Sequence, residues 1–332
     1  MRKIVLYLFI SGLSYFSLQA QYISTNAASA LAIQNRILLV GLEEENPDVL
    51  NLYKDQPKNI EGYYISLEGK NMVLKNAVTG FWTYSKNIQY LPLKQAQKLM
   101  KTEKDKYALL HFEDSGISGN WMYMDNKNER LAPFAWKKKD GVLTYDKEAR
   151  RAIENLTLNS LVIDLPKKVM EICLPIAYPT EGDLIHAIQQ MQYTLNYLLV
   201  PGHTINQFYK ETYQRATVLK TKTLLIDSRD LSYKLKQTDV SLLYPFSFEV
   251  VPYEIVEKAL KEKDVRYAIV NVARFDPNNS IYTVTDAADG NLYYFKTALT
   301  YEHGDQIGMA GMYIRPFGVT SDHLTDYASG IK

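Results

Sequence analysis

The chain has 332 residues, 46% hydrophobic and 23% charged, with a formal net charge of +1. That balance describes a globular protein with length for two ordinary domains and excludes disordered or collagen-like classes. It also offers nothing to a polyanion: the run Lys137, Lys138, Lys139 is diluted at once by Asp140, Asp146 and Glu148, so no nucleic-acid partner is expected.

Arg2 and Lys3 precede an apolar run over 4–16, which Ser17, Leu18, Gln19 and Ala20 follow. A basic flank, a short apolar core and a small residue at Ala20 are the pattern of a cleaved secretory signal over 1–20, whereas an anchoring helix needs about 20 apolar residues. The expectation is a mature chain beginning near Gln21, in the periplasm or outside the cell, with no transmembrane segment after signal removal. Loss of Arg2 and Lys3 leaves 36 basic residues against 37 acidic. Cys173 is the only cysteine, so no internal disulfide is expected, and its place in the apolar run 172–176 reads as a small buried hydrophobe.

From residue 36 onward the chain uses one unit twice. Residues 86–112 lie over 246–272 without a gap, with Pro92 on Pro252, Lys98 on Lys258, Lys101 on Lys261, and Tyr107-Ala108 on Tyr267-Ala268. The apolar positions keep phase as well: Ile88 and Tyr90 meet Phe248 and Val250, and Ala96, Leu99 and Met100 meet Val256, Ala259 and Leu260. Upstream, ILLVG (37–41) answers TLLID (223–227). Downstream, YMDNKNERLAPF (123–134) is aligned with VTDAADGNLYYF (284–295), which pairs Asp125 with Asp286. The unit, about a hundred residues long, exceeds the period of most solenoid repeats.

Within each unit the short apolar runs ILLV, YALL, TLLI and YAIV suit strands covered on both faces, while FSFEV alternates and suits an edge strand. A helix starts at each of Pro92 and Pro252. Val73, Ala77 and Phe81 beside Leu74, Val78 and Trp82 trace an earlier helix, which the second copy shortens to about 238–243. The reading is α/β: two related lobes, each a small mixed sheet (β-α-β-α-β plus a hairpin) with flanking helices. The hairpin turns are placed at 126–128 and 287–290. Thr180 with Asp183 opens a helix over about 181–199, and Thr320, Ser321 and Leu324 repeat that start near the end of the chain. The first lobe spans 21–200 and carries an insertion at about 137–168. Pro201-Gly202 breaks the chain, Thr204 with Gln207 opens the next helix, and the second lobe spans 201–332.

The signal ending in Ala-Gln, the TLLID strand, YPFSFEVVPYEIVEKAL, KDVRYAIVNV and the D-A-A-D-G hairpin together resemble a family of exported Bacteroidota proteins with an internally duplicated α/β unit. The resemblance covers most of the mature chain and implies export and fold. Its motifs mark structure, so no catalytic or binding residue carries over from it.

The chain holds no G-x-G-x-x-G, Walker loop, H-E-x-x-H, G-x-S-x-G or EF-hand spacing, and no cofactor is expected. His111, His186, His203, His303 and His323 stand far apart, and His186 reads as a packed or surface histidine. Gly304, Gly308 and Gly311 punctuate a connecting loop. Open α/β sheets bind ligands beyond the carboxyl ends of their strands, and there the first copy carries Gly41, Glu43, Glu44 and Glu45, then His111, Glu113 and Asp114. His111 and Glu113 point the same way from a strand, so with Glu43 and Asp114 they are the candidates for holding a cation. Against that, the second copy has Asn271, Ala273 and Arg274 at the corresponding places, and acidic loops are usually soluble turns; no metal is expected. The 26 tyrosines, clustered at Tyr63-Tyr64, Tyr293-Tyr294 and Tyr301, suit either lobe packing or an interface.

Three function classes follow. The first is a non-catalytic envelope protein that binds a protein partner through its two lobes, the reading that the absence of motifs favours. The second is a periplasmic small-ligand-binding protein with its site between the lobes. The third is a hydrolase whose site has no sequence signature.

Overall fold

A computed structural model describes residues 24–114, 123–124, 130–131, 136–145, 159–175, 179–232, 235, 237–276, 279–301, 315–316 and 318–331. The signal over 1–20, the turn at 126–128 with Asp125, and the loop bearing Gly304, Gly308 and Gly311 lie outside the described residues. No helix among the described residues is long and apolar enough to cross a membrane.

The first unit opens with α1 (Ala27–Asn35), whose first turn is capped by the Asn26 side chain accepting from Ser29 N. Next come β1 (Ile37–Leu42), α2 (Pro47–Leu52), α3 (Pro57–Phe81), β2 (Ile88–Pro92), α4 (Leu93–Thr102) and β3 (Tyr107–Asp114). Proline stands in the first turn of both α2 and α3, where its missing N–H costs least. Two short hairpins follow, β4 (Tyr123–Met124) with β5 (Arg130–Leu131) and β6 (Trp136–Lys139) with β7 (Val142–Tyr145). The long hairpin β8 (Asn159–Leu165) and β9 (Lys167–Leu174) then completes a sheet of order β2-β1-β3-β8-β9. Helices α5 (Glu181–Leu198) and α6 (Ile205–Arg215) and a 3-10 turn at Ala216–Thr221 lead into the second unit.

There β10 (Thr223–Asp227), α7 (Gln237–Leu243), β11 (Phe248–Val251), α8 (Tyr253–Lys261), β12 (Tyr267–Asp276), β13 (Asn279–Asp286) and β14 (Leu292–Tyr301) build a sheet of order β11-β10-β12-β13-β14. The two-residue β15 (Arg315–Pro316) extends its edge, and α9 (Ser321–Gly330) follows. The two sheets agree in strand order and also in register. Leu38 faces Ile88 and Ala108 as Leu224 faces Phe248 and Ala268, which is the pairing that the gapless sequence match requires. Pro92 and Pro252 are the N-caps of α4 and α8, and Tyr107 and Tyr267 begin β3 and β12.

The first unit's hairpin is where the structure departs from the sequence alignment. The antiparallel strands that match β13 and β14 are β8 and β9, so 159–168, read as part of an insertion, belongs to the repeated unit, while 123–131 forms the separate β4–β5 pair. Leu109 faces Asp164 as Ile269 faces Thr285, so the partner of Asp286 in the repeat is Leu165 and not Asp125. The cause is turn chemistry. β8 and β9 are joined through Pro166 at a φ of 28°, without the Gly or Asn that marks the second hairpin, so turn residues led the alignment to the wrong stretch.

Helix α5 joins the lobes. Every residue from 182 to 191 is buried, and Leu184, Ile185, Ile188 and Met191 share one core with Leu38 and Leu110 of the first sheet and with Leu225, Val256, Leu260 and Ile269 of the second unit. A helix buried all round must be covered on two sides, and here one side belongs to each lobe. The counterpart helix α9 buries only His323, Leu324 and Tyr327, and exposes Ser321, Asp322, Thr325 and Ser329 to solvent.

Candidate functional site

The residues that the sequence places at the carboxyl ends of the first sheet are dispersed into separate pairs. Glu43 takes Lys70 Nζ at 2.6 Å, and its backbone is clamped by Asn71, whose Oδ1 accepts from Glu43 N and whose Nδ2 donates to Glu43 O, each at 2.9 Å. Glu44 accepts from Lys94 N at 2.8 Å, at the start of α4. His111 Nε2 lies 3.0 Å from Asp164 Oδ2 and its Nδ1 lies 2.7 Å from Phe112 O. Glu113 pairs with Lys168 at 2.6 Å, and Lys168 also reaches Glu171 at 2.8 Å. Asp114 is the last residue of β3, opposite Asn159. Burial lowers the His111 pKa, but the hydrogen bond and charge of Asp164, the Phe112 carbonyl and Glu113 together raise it above the ordinary value. The pairs of His111 and Glu113 stitch β3 to β8 and β9. Among the described residues no three His, Cys, Asp or Glu side chains come together as metal ligands do.

Polar groups converge instead at the second sheet. Asp227 ends β10 and Asn271 lies in β12, on the face that α8 and the first turns of α5 cover. Between these elements is a small solvent-open recess, lined by Asp183, His186, Asp227, Asp230, Tyr253 and Asn271 together with apolar Val256, Leu260 and Ile269. It sits beyond the carboxyl ends of neighbouring parallel strands, the position that open α/β sheets favour for ligands.

The walls are rigidly built. Thr180 and Asp183 form a capping box at the start of α5, with Thr180 N and Thr180 Oγ1 each donating to Asp183 Oδ2 at 2.8 Å. Tyr253, the first residue of α8, donates its hydroxyl to Asp183 Oδ1 at 3.0 Å and also meets Thr180 Oγ1. Gly182 makes that approach feasible, since a Cβ there would stand 2.7 Å from the Tyr253 hydroxyl. Asp227 holds Arg229 in a fork, with Nε 3.0 and 2.9 Å from its two oxygens, and the Arg229 guanidinium lies 4.9 Å from the centre of the Tyr253 ring.

His186 is 5% exposed, and its Nε2 lies 2.8 Å from Thr285 Oγ1 of the second lobe. Burial pushes its pKa down to about 4, against a smaller opposing effect of Asp183, so the ring is neutral at neutral pH. Sequence reasoning passed over this group: His186 read as a lone packed histidine, and the second unit lacks the acidic set of the first. The available signal was Asp227, a carboxylate at the carboxyl end of an otherwise apolar strand. Cys173 packs with Ala273 and Ile281, and burial pushes its thiol up to about 12, so it is not a thiolate nucleophile.

Comparison of the chain with models of known protein families, with curated proteins and with solved structures finds no match to any of them.

Proposed function

We infer that this chain is a non-catalytic exported protein of the cell envelope that binds a protein partner through its duplicated lobes. One observation carries the reading: the ionisable groups at the strand ends are tied into contacts that hold elements together. Glu43 serves α3, His111 and Glu113 serve β8 and β9, and Asp183 serves the junction of α5 with α8. Catalysis needs such groups directed at a reacting atom, supported by others. Export rests on the pattern at 1–20, and the resemblance to exported Bacteroidota proteins agrees with it. Val142, at 62% exposure, and Leu242, at 82%, give one accessible position for a probe in each lobe.

The test is photo-crosslinking in the native host, from probes at Val142 and Leu242, combined with a screen of the purified mature chain against ester, phosphoester, peptide and glycoside substrates. The expected result is one envelope protein captured from both positions and no turnover. Turnover that vanishes in Asp183→Asn or His186→Gln, with the fold intact, would make the protein a hydrolase. The recess between the lobes favours a second reading, a small-ligand-binding protein, for which a rise in melting temperature on adding a ligand is the signature.

A further inference from the structure

We propose that the outer face of α4 is a docking surface for an acidic protein segment, one that presents carboxylates at helical spacing. The inference rests on the partner-binding reading and names the chemistry that the partner brings.

The duplication supplies an internal control. Over 93–106 the chain carries five lysines and two acidic residues, whereas over the matching 253–266 it carries four basic and four acidic residues. Lys98 and Lys101 fall on Lys258 and Lys261, and in α8 both of the latter are paired: Lys258 with Glu262 at 3.8 Å, and Lys261 with Glu257 and with Glu181 of α5, each at 3.1 Å. The first unit keeps the lysines and loses the carboxylates, with Gln97 in the place of Glu257 and Thr102 in the place of Glu262. Lys94, Lys98, Lys101 and Lys104 make no ion pair among the described residues. The acidic groups at the two ends of the helix are engaged elsewhere: Glu44 accepts from the backbone N–H of Lys94 at 2.8 Å, Glu103 pairs with Lys106 at 2.9 Å, and Asp105 lies 3.4 Å from Arg36.

Lys94, Lys98 and Lys101 are spaced four and then three residues apart, so they share one helix face, and all three are exposed together with Gln97 and Thr102. Like charges at that spacing repel. Lys94 also stands in the first turn, where a helix disfavours a cation and where α8 has Glu254. Carboxylates supplied from outside would relieve both costs. The second unit shows the form that such a supply takes, since Glu181, the first residue of α5, reaches Lys261 from a separate helix. A protein segment suits the face better than a lipid surface does. Ala96 and Met100 are buried with Leu39 and Leu109, and Leu93 and Leu99 pack against them, so α4 presents no exposed apolar side chain to enter a bilayer.

The experiment titrates the purified mature chain with a synthetic helical peptide whose glutamates repeat the four-then-three spacing, with its glutamine analogue, and with phosphatidylglycerol vesicles, following amide NMR shifts. The expected result is binding of the glutamate peptide alone, with shifts on α4, weakened by about tenfold or more between about 50 and about 300 mM salt. Gln97→Glu combined with Thr102→Glu installs in α4 the intrahelical pairs of α8 and keeps every lysine. It should weaken peptide binding by about tenfold or more, as should Lys98→Gln with Lys101→Gln, which decides if the first variant fails to fold. Undiminished binding in these variants, equal binding of the glutamine analogue, or no peptide binding overturns the proposal. Binding of the vesicles in place of the peptide overturns it too and assigns the face to a lipid surface. The partner-binding reading is judged separately, by capture from Val142 and Leu242. Capture that is unchanged in Gln97→Glu with Thr102→Glu leaves that reading standing and removes α4 from it, whereas no capture by the parent chain overturns both.

Discussion

Tyr253 donates its hydroxyl to Asp183 across the junction of the two lobes at 3.0 Å, which makes the N-terminal turn of α5 a ligand of the N-terminal turn of α8. The bond joins a residue of the second unit to the cap of a helix that the first unit contributes. Replacing Tyr253 with Phe should lower stability by about 1–2 kcal/mol, as expected for a hydrogen bond to a charged group in a buried setting. A double-mutant cycle with Asp183→Asn, read by urea denaturation, should return a coupling of about 1 kcal/mol. Additive effects would mean that the contact holds nothing.

Gly290 provides a second test of the junction. Its φ is +76°, and a Cβ there would stand 2.5 Å from the backbone of Gln189 and Gln190, while Gln189 Nε2 donates to Ala287 O and Ala288 O at 3.2 Å each. Gly141 has nearly the same φ, +79°, and a methyl group added there would meet nothing within 4 Å, so it separates backbone strain from collision. Gly141→Ala should cost about 1 kcal/mol and Gly290→Ala at least about 3 kcal/mol. Equal losses in melting experiments would show that the turn does not rest against α5.

His186 gives the protein an acid limit. Its folded pKa is near 4 against an ordinary 6.5, so between those values the unfolded chain binds a proton that the folded chain refuses. Its contribution is complete above pH 6.5 and is lost as pH falls toward 4, by about 3 kcal/mol in all. Denaturation curves at pH 7.5 and pH 4 should show this loss in the parent and its absence in His186→Gln. An identical acid loss in that variant would remove His186 as the cause.

His111 runs the other way, because its pKa is raised in the folded state. The stabilisation from its contact with Asp164 is fully present below the ordinary histidine value of 6.5 and fades as pH rises through the folded pKa. His111→Gln should therefore be most destabilising near pH 6 and least at pH 9. A penalty that grows with pH would contradict the assigned pair.

Lys222 and Asp286 form a buried pair at 2.6 Å, with Tyr293 also donating to Asp286 Oδ2. Lys222→Met strands the carboxylate and should cost about 3–5 kcal/mol, whereas Lys222→Met combined with Asp286→Asn should cost less than the single change. Thermal or urea unfolding of the three proteins decides it, and a double variant weaker than Lys222→Met would argue against a coupled pair.

What the sequence determined by itself is local and periodic. The match of 86–112 with 246–272 required two sheets in one strand order and one register, and Pro92, Pro252, Thr180 and Thr204 marked where helices begin, because caps and alternation are written into neighbouring residues. Tertiary structure alone decided the rest. The first hairpin was misplaced because Pro166 closes β8–β9 without a Gly or Asn signal, and a strand's partner is fixed by pairing energy at long range. Helix α5 read as an end of the first lobe, yet it is buried on both sides, since periodicity names an apolar face without naming what covers it. The recess has the same origin. Asp183 and His186 come from one unit and Asp227, Tyr253 and Asn271 from the other, and only the docking of α5 on the second sheet brings them to a common space.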